Sequence, residues 1–159
     1  MIYTLVGNTR RCGRVMKAVV KQIEDCSFIG KAESNHWVPV DSKKEFAGSD
    51  AATHPMELVL LALGSCTGCD VVSILEKKKV RLTGFEIHID AERSETHPTV
   101  FTKIHLEFMF FGTRLNPVHL KRAIELSQEK YCPVSAMLKP SVSITTSHRI
   151  VENKHNDQQ

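Results

Sequence analysis

Long uninterrupted hydrophobic runs are missing from this sequence. The most apolar stretch is 56–63, with Glu57 inside it, whereas a membrane-crossing helix needs about 20 predominantly apolar residues. A membrane span is therefore not expected. Charge of one sign is also scarce: 21 Lys and Arg are interspersed with 18 Asp and Glu, for a formal charge of +3. No basic run is interleaved with aromatics, so no nucleic-acid partner is expected. Residues 1–15 lack the order of a secretory leader, because the apolar patch 2–6 is short and Arg10, Arg11 and Arg14 follow it. A cytoplasmic protein is expected. The five cysteines, Cys12, Cys26, Cys66, Cys69 and Cys132, are odd in number and irregularly spaced, which argues against a secreted disulfide framework. No repeat or linker divides the chain. Its 159 residues, 42% of them hydrophobic, suit one domain with a real core, read here as 1–151. Residues 1–15 form an N-terminal extension to it, and 152–159 form a polar tail.

What is present is organised around 55–79, which carries the densest apolar run and two of the five cysteines. It reads as one long helix. Pro55 suits the first turn, where its missing N–H costs nothing, with Thr53 or His54 as cap. Lys77, Lys78 and Lys79 place positive charge at the carbonyl end. Residues 58–63 are apolar on every side, so other elements or a second subunit must wrap them. Gly64 and Gly68 each cost about 1 kcal/mol relative to Ala in a helix interior. Close approach of another backbone is the expected compensation.

Strands are expected at 18–23, 26–32 and 36–40, preceded by a β-prone segment at 2–6 and a turn around Gly7, Asn8 and Gly13. A polar loop, 41–53, leads into the long helix. Residues 84–92 and 99–111 alternate apolar and polar, with Phe85, Ile87, Ile89 and Ala91 on one inner face. Val100, Ile104, Leu106, Phe108 and Phe110 form the other, and the two segments predict an antiparallel hairpin. His88 and His105 fall on the wet faces, with no HExxH or paired-His spacing. Asn116 and Pro117 open a second helix with an inner stripe of Leu120, Ala123, Ile124, Ser127 and Tyr131. Cys132 stands in the capping position of a short third helix that Pro140 ends, and 141–151 is a last strand with Val142 and Ile144 inward.

The thiols are the candidate chemistry. A thiol of ordinary pKa is only about 3% thiolate at neutral pH, and the thiolate is the reactive form. A helix start favours the anion at Cys132, whereas an apolar helix interior disfavours it at Cys66. Cys66 and Cys69 form a CxxC, but well inside a helix rather than at its start. With Cys132 they supply three zinc ligands where four are usual. Inert core thiols are the third reading, and neither metal nor cofactor is expected. Cys12 and Cys26 read as spare thiols.

The motif GSCTGCDVVSIL on a long helix, followed much later by EKYCPVSAML, resembles the family of osmotically inducible protein C and organic hydroperoxide resistance proteins. The likeness spans roughly 16–151 in order of elements. It implies an α+β fold in which antiparallel sheets wrap long central helices in an intertwined homodimer. It also implies a thiol peroxidase with Cys66 peroxidatic and Cys132 resolving. Cys66 would be oxidised by an organic hydroperoxide to a sulfenic acid. Cys132 would then close a disulfide that an external dithiol reduces. The family's best-characterised branch activates its helix cysteine with an Arg from the N-terminal sheet and a Glu shortly before the cysteine. Here Met56 holds the Glu position, Glu57 is one step on, and 18–32 contains no Arg, which leaves Lys17, Lys21, Lys31 or Arg10, Arg11 and Arg14 as substitute cations with nothing in the sequence selecting one. Glu57 and Cys69 are thus auxiliary candidates, in a divergent branch. The rival reading is a binding protein that keeps the fold and places a small apolar ligand in the dimer crevice.

Overall fold

The computed structural model describes residues 15–152. The segment 2–6, the turn after it, Cys12 and the end of the tail lie outside the described residues. The chain groups into two compact units, Met1–Glu57 and Leu58–Gln159.

In the first unit, β1 (Ala18–Glu24), β2 (Ser27–Ala32) and β3 (Val38–Val40) form an antiparallel sheet in that order. Cys26 falls in the β1–β2 turn, with a free, half-buried thiol. The loop after β3 is held by one buried carboxylate, Asp41. It accepts from Ser27 Oγ at 2.9 Å, Ser42 N at 2.7 Å, Ala51 N at 2.9 Å, and both N (3.2 Å) and Oγ (2.5 Å) of Ser49. Gly48 lets the loop fold back, since a Cβ there would lie 1.9 Å from the Ser42 carbonyl oxygen. The Ser49 hydroxyl, with the amides of Ala51 and Ser42, holds the Asp41 carboxyl well below the usual carboxylate range against the effect of burial. A depressed carboxyl stabilises the fold above its unfolded value, about 4, and that contribution is lost as pH falls toward the folded value. Asp41→Asn is accordingly expected to speed hydrogen exchange at the Ser42, Ser49 and Ala51 amides at pH 7. It should also lower the melting temperature there by several degrees, with the difference from wild type shrinking in acid.

Helix α1 (Pro55–Lys77) straddles the boundary between the units. Pro55 is its first residue, and the carboxylate of Glu57 reaches back 2.9 Å to the His54 amide, the side chain-to-cap half of a capping box. Lys79, at φ 57°, and the Val80 N–H to Leu75 O bond close the other end. Its seam of Leu63, Gly64, Thr67, Val71 and Leu75 is buried, with Leu63, Thr67, Val71 and Leu75 four apart as a packed helix face requires.

The second unit's sheet has the order β4 (Gly84–Arg93), β5 (Phe101–Phe111), β6 (Ser143–Val151). The expected hairpin is β4–β5, antiparallel over its whole length, with Ile104, Leu106, Phe108 and Phe110 buried. Val100 is 49% exposed rather than inward, and Phe101 is buried in its place. The register slips between Glu92 and Arg93, and such a slip changes which side chain faces the core. Strand β6 pairs with β5 in parallel, so the sheets are antiparallel except at this pair. A parallel neighbour requires a crossover, and the helices between β5 and β6 supply it.

That crossover is α2 (Pro117–Leu126), a single turn of π-helix (Ser127–Tyr131) and α3 (Pro133–Leu138). Asn116 caps α2 through its side chain, 2.9 Å from Val118 N. Leu120, Ala123, Ile124 and Ser127 are buried as the stripe predicts, but Tyr131 is 48% exposed. The wider π turn carries the helical stripe out of phase before Tyr131 is reached.

Gly64 and Gly68 do admit a close neighbour. It is the side chains of β4 rather than another backbone: a Cβ on Gly64 would lie 2.7 Å from Ile89 Cδ1, and one on Gly68 3.3 Å from Ile87 Cδ1.

Candidate functional site: a buried thiol pair

Cys66 and Cys132 come together. Cys132 caps α3, its Sγ accepting from the Ser135 amide at 3.4 Å, and it is 3% exposed. The Pro after it fixes this geometry, since a residue before Pro is held out of the helical region and Pro itself suits the first turn. Cys66 is half-buried on α1, and the two thiols lie near enough to shift one another's acidity.

A polar ring surrounds the Cys132 sulfur. Thr67 Oγ1 donates to Cys132 Sγ at 3.4 Å and accepts from Gln128 Nε2 at 3.2 Å. Ser135 Oγ donates to Gln128 Oε1 at 3.2 Å. Thr67 and Ser135 are completely buried. Lys139 Nζ ties the Gln128 carbonyl, and Ser127 Oγ donates to Asp70 Oδ2 at 2.9 Å. Thr67, Gln128 and Ser135 were missed in the sequence, where single polar residues on helices carry no signature of a site.

The two thiols are driven apart in acidity. Burial pushes the Cys66 thiol up, as do Cys132 and Asp70 nearby, against one favourable contact from the Val134 amide. Burial also acts to raise Cys132, but donors from Ser135, Thr67 and Cys66 outweigh it and leave this thiol below its ordinary value.

The auxiliary candidates lie elsewhere. Glu57 is engaged with His54 at the helix start, roughly 13 Å along the axis from Cys66 at 1.5 Å per residue. Cys69 is exposed and lines a groove of about 900 Å³ with Leu58, Leu61, Val72, Phe85 and Ile87. The wrapping expected for 58–63 is incomplete within one chain, since Leu61 is 57% exposed. His88 pairs with Glu86, and His105 with Thr145 and Ser147, all on strand surfaces. Among the described residues no group of three or more His, Cys, Asp or Glu is placed to hold a metal ion. By length and composition α1 is apolar enough to cross a bilayer, with a mean hydropathy of 2.0 over its best window; the shorter run 56–63 understates it. In this structure the helix instead carries the buried seam and the polar ring just described.

Fold and site together define an α+β protein with a dithiol between a long helix and the start of a short one. The family model for OsmC-like proteins matches residues 48–147. Protein YhfA of Escherichia coli (strain K12) is 40% identical over 136 residues, 86% of this chain and 98% of that protein. A crystal structure of a protein from Aquifex aeolicus VF5 superposes with a TM-score of 0.77 at 30% identity, over 89% of this chain and 99% of that one. An organic hydroperoxide resistance protein OsmC from Legionella pneumophila shares the fold, with a TM-score of 0.66 at 16% identity over 87% and 98% of the two chains. The chain belongs to the OsmC-like family.

Thiolate absorbance near 240 nm followed against pH should show one thiol ionising below the ordinary range. Cys132→Ala is expected to delete that step. In Cys66→Ala it should persist, moved to somewhat higher pH because one donor is gone. Loss of the low step in Cys66→Ala instead would contradict the assignment.

Proposed function

We propose that this protein is a two-cysteine thiol peroxidase that reduces organic hydroperoxides, with Cys66 as the attacking sulfur and Cys132 as the resolving one. The observation that carries this reading is that two thiols from distant parts of the chain are brought near enough to shift one another's acidity. Cys66 is the more accessible of the two, as the sulfur that meets substrate must be. Oxidation of Cys66 to the sulfenic acid, attack by Cys132 and release of the disulfide to an external dithiol complete a cycle needing neither metal nor bound cofactor. A reducing cytoplasm suits such a cycle. One equivalent of cumene hydroperoxide added to the reduced protein should yield, by mass spectrometry, a chain lighter by two hydrogens, with Cys66 and Cys132 in one linked peptide. The apolar residues 58–63 near the site favour organic peroxides over hydrogen peroxide. Equal turnover of both would remove that preference.

The working form is a homodimer. The groove along α1 and β4, with Leu61 exposed beside it, is a face that water should not keep, and a second copy fits the family pattern. Leu61→Glu is expected to shift the protein to a monomer in analytical ultracentrifugation. The same groove favours the alternative of a small apolar ligand bound without turnover. Absence of the disulfide after peroxide, together with unchanged behaviour of Cys66→Ser, would turn the assignment to that alternative.

A further inference from the structure

We infer that Gln128 is a positioning residue for closure of the disulfide: through Thr67 and Ser135 it holds the Cys132 sulfur in one direction, and so decides whether the sulfenic acid at Cys66 is resolved or takes up a second peroxide. This rests on the peroxidase reading above and concerns its second step.

Gln128 acts through its neighbours. It is the second residue of the π turn, and its side-chain amide ties two other elements together. Nε2 donates to Thr67 Oγ1 on α1 at 3.2 Å, and Oε1 accepts from Ser135 Oγ on α3 at 3.2 Å. Thr67 Oγ1 in turn donates to Cys132 Sγ at 3.4 Å, and the Ser135 amide donates to the same sulfur at 3.4 Å. A cysteine side chain is free to choose among staggered wells, and two donors fixed on different helices select one of them. The direction of these bonds depends on residue 128 being an amide. Because Nε2 can only donate, the Thr67 oxygen accepts from it and keeps its own proton for the sulfur. A carboxylate in the same place could only accept, so it would draw the Thr67 proton to itself and strip the sulfur of that donor. Thr67 and Ser135 are completely buried, where a lost partner is costly.

The first oxidation converts the Cys66 thiol and ROOH into the sulfenic acid and ROH. Two routes then compete. In one, the Cys132 sulfur attacks the Cys66 sulfur: an S–S bond forms, the S–O bond breaks, and hydroxide leaves with the Cys132 proton as water. In the other, a second ROOH delivers an oxygen to Cys66, giving the sulfinic acid and ROH, a form that an external dithiol does not restore. As Cys132 gives up its proton, negative charge grows on its sulfur, where the Thr67 hydroxyl and the Ser135 amide already point. A sulfur held in one well also favours the intramolecular route. The competing route needs nothing from the ring and rises with peroxide concentration. Gln128 thereby sets the peroxide level at which inactivation begins.

Quenched-flow mass spectrometry with cumene hydroperoxide reads both steps, through Cys66 sulfenic acid captured with dimedone, the Cys66–Cys132 disulfide, and the sulfinic acid. In Gln128→Met, which keeps the side-chain volume, the rate of closure relative to the first oxidation should fall about tenfold at pH 7, as expected for one hydrogen bond to a charged sulfur. Sulfinic acid should appear at correspondingly lower peroxide. Gln128→Glu should show the same loss at pH 7 but recover toward the wild-type ratio on acidification, because the protonated carboxyl regains an O–H donor for Thr67. A variant that had merely loosened the fold would slow both steps and would not recover. A wild-type ratio of the two rates in both variants, or a Gln128→Glu protein that does not recover in acid, overturns the inference and leaves the peroxidase reading standing. A wild-type protein that forms no disulfide overturns both.

Discussion

One polar residue in an otherwise apolar seam constrains most of this structure. Thr67 lies between Leu63 and Val71 on the buried face of α1, and a buried hydroxyl without partners costs about 1–3 kcal/mol. Its partners come from the crossover between β5 and β6: Gln128 donates to it and Cys132 accepts from it. Satisfying Thr67 therefore docks the π turn and the start of α3 on the centre of the long helix. The same docking delivers Cys132 to Cys66, one residue before Thr67. Packing against β4, where Gly64 and Gly68 take its isoleucines, fixes how closely α1 lies on its sheet.

Much of the architecture is legible in the sequence because its signals are local. Pro55, the Asn116–Pro117 pair and Cys132–Pro133 mark helix starts through backbone chemistry that needs no tertiary context, and all three positions open helices. The alternation in β4 and β5 likewise identifies the hairpin. What is not legible depends on phase. The π turn exposes Tyr131 without any distinctive residue to announce it, and the slip at Glu92 and Arg93 exchanges Val100 for Phe101. The parallel pairing of β6 depends on where the intervening helices return the chain, which periodicity cannot report. Both cysteines stand out as nucleophile types, but their ring does not, since Thr67, Gln128 and Ser135 matter only through mutual geometry.

The pair also illustrates how one fold can supply activation by different means. A carboxylate and a guanidinium can stabilise a thiolate through charge. Here neutral donors reach Cys132, each contributing less than a cation but acting together at a buried sulfur. The consequence is an asymmetric dithiol: one sulfur is buried and held by donors, and the other is half-exposed with its acidity weakened by burial.

The single π turn at Ser127–Tyr131 gives this part of the chain an unusual intolerance to length. Its carbonyl at Ser127 receives the Cys132 amide, and the widened loop sets the bearing of everything that follows. Losing one residue there would let the helix regularise into an ordinary α-turn, a locally favourable change. It would also swing Cys132 and α3 through roughly 100° about the helix axis, parting the sulfurs while every side chain of the pair remained present. In descendants of this sequence, substitutions at the exposed positions 129–131 should thus be far easier to accommodate than a deletion of any one residue from 127–131.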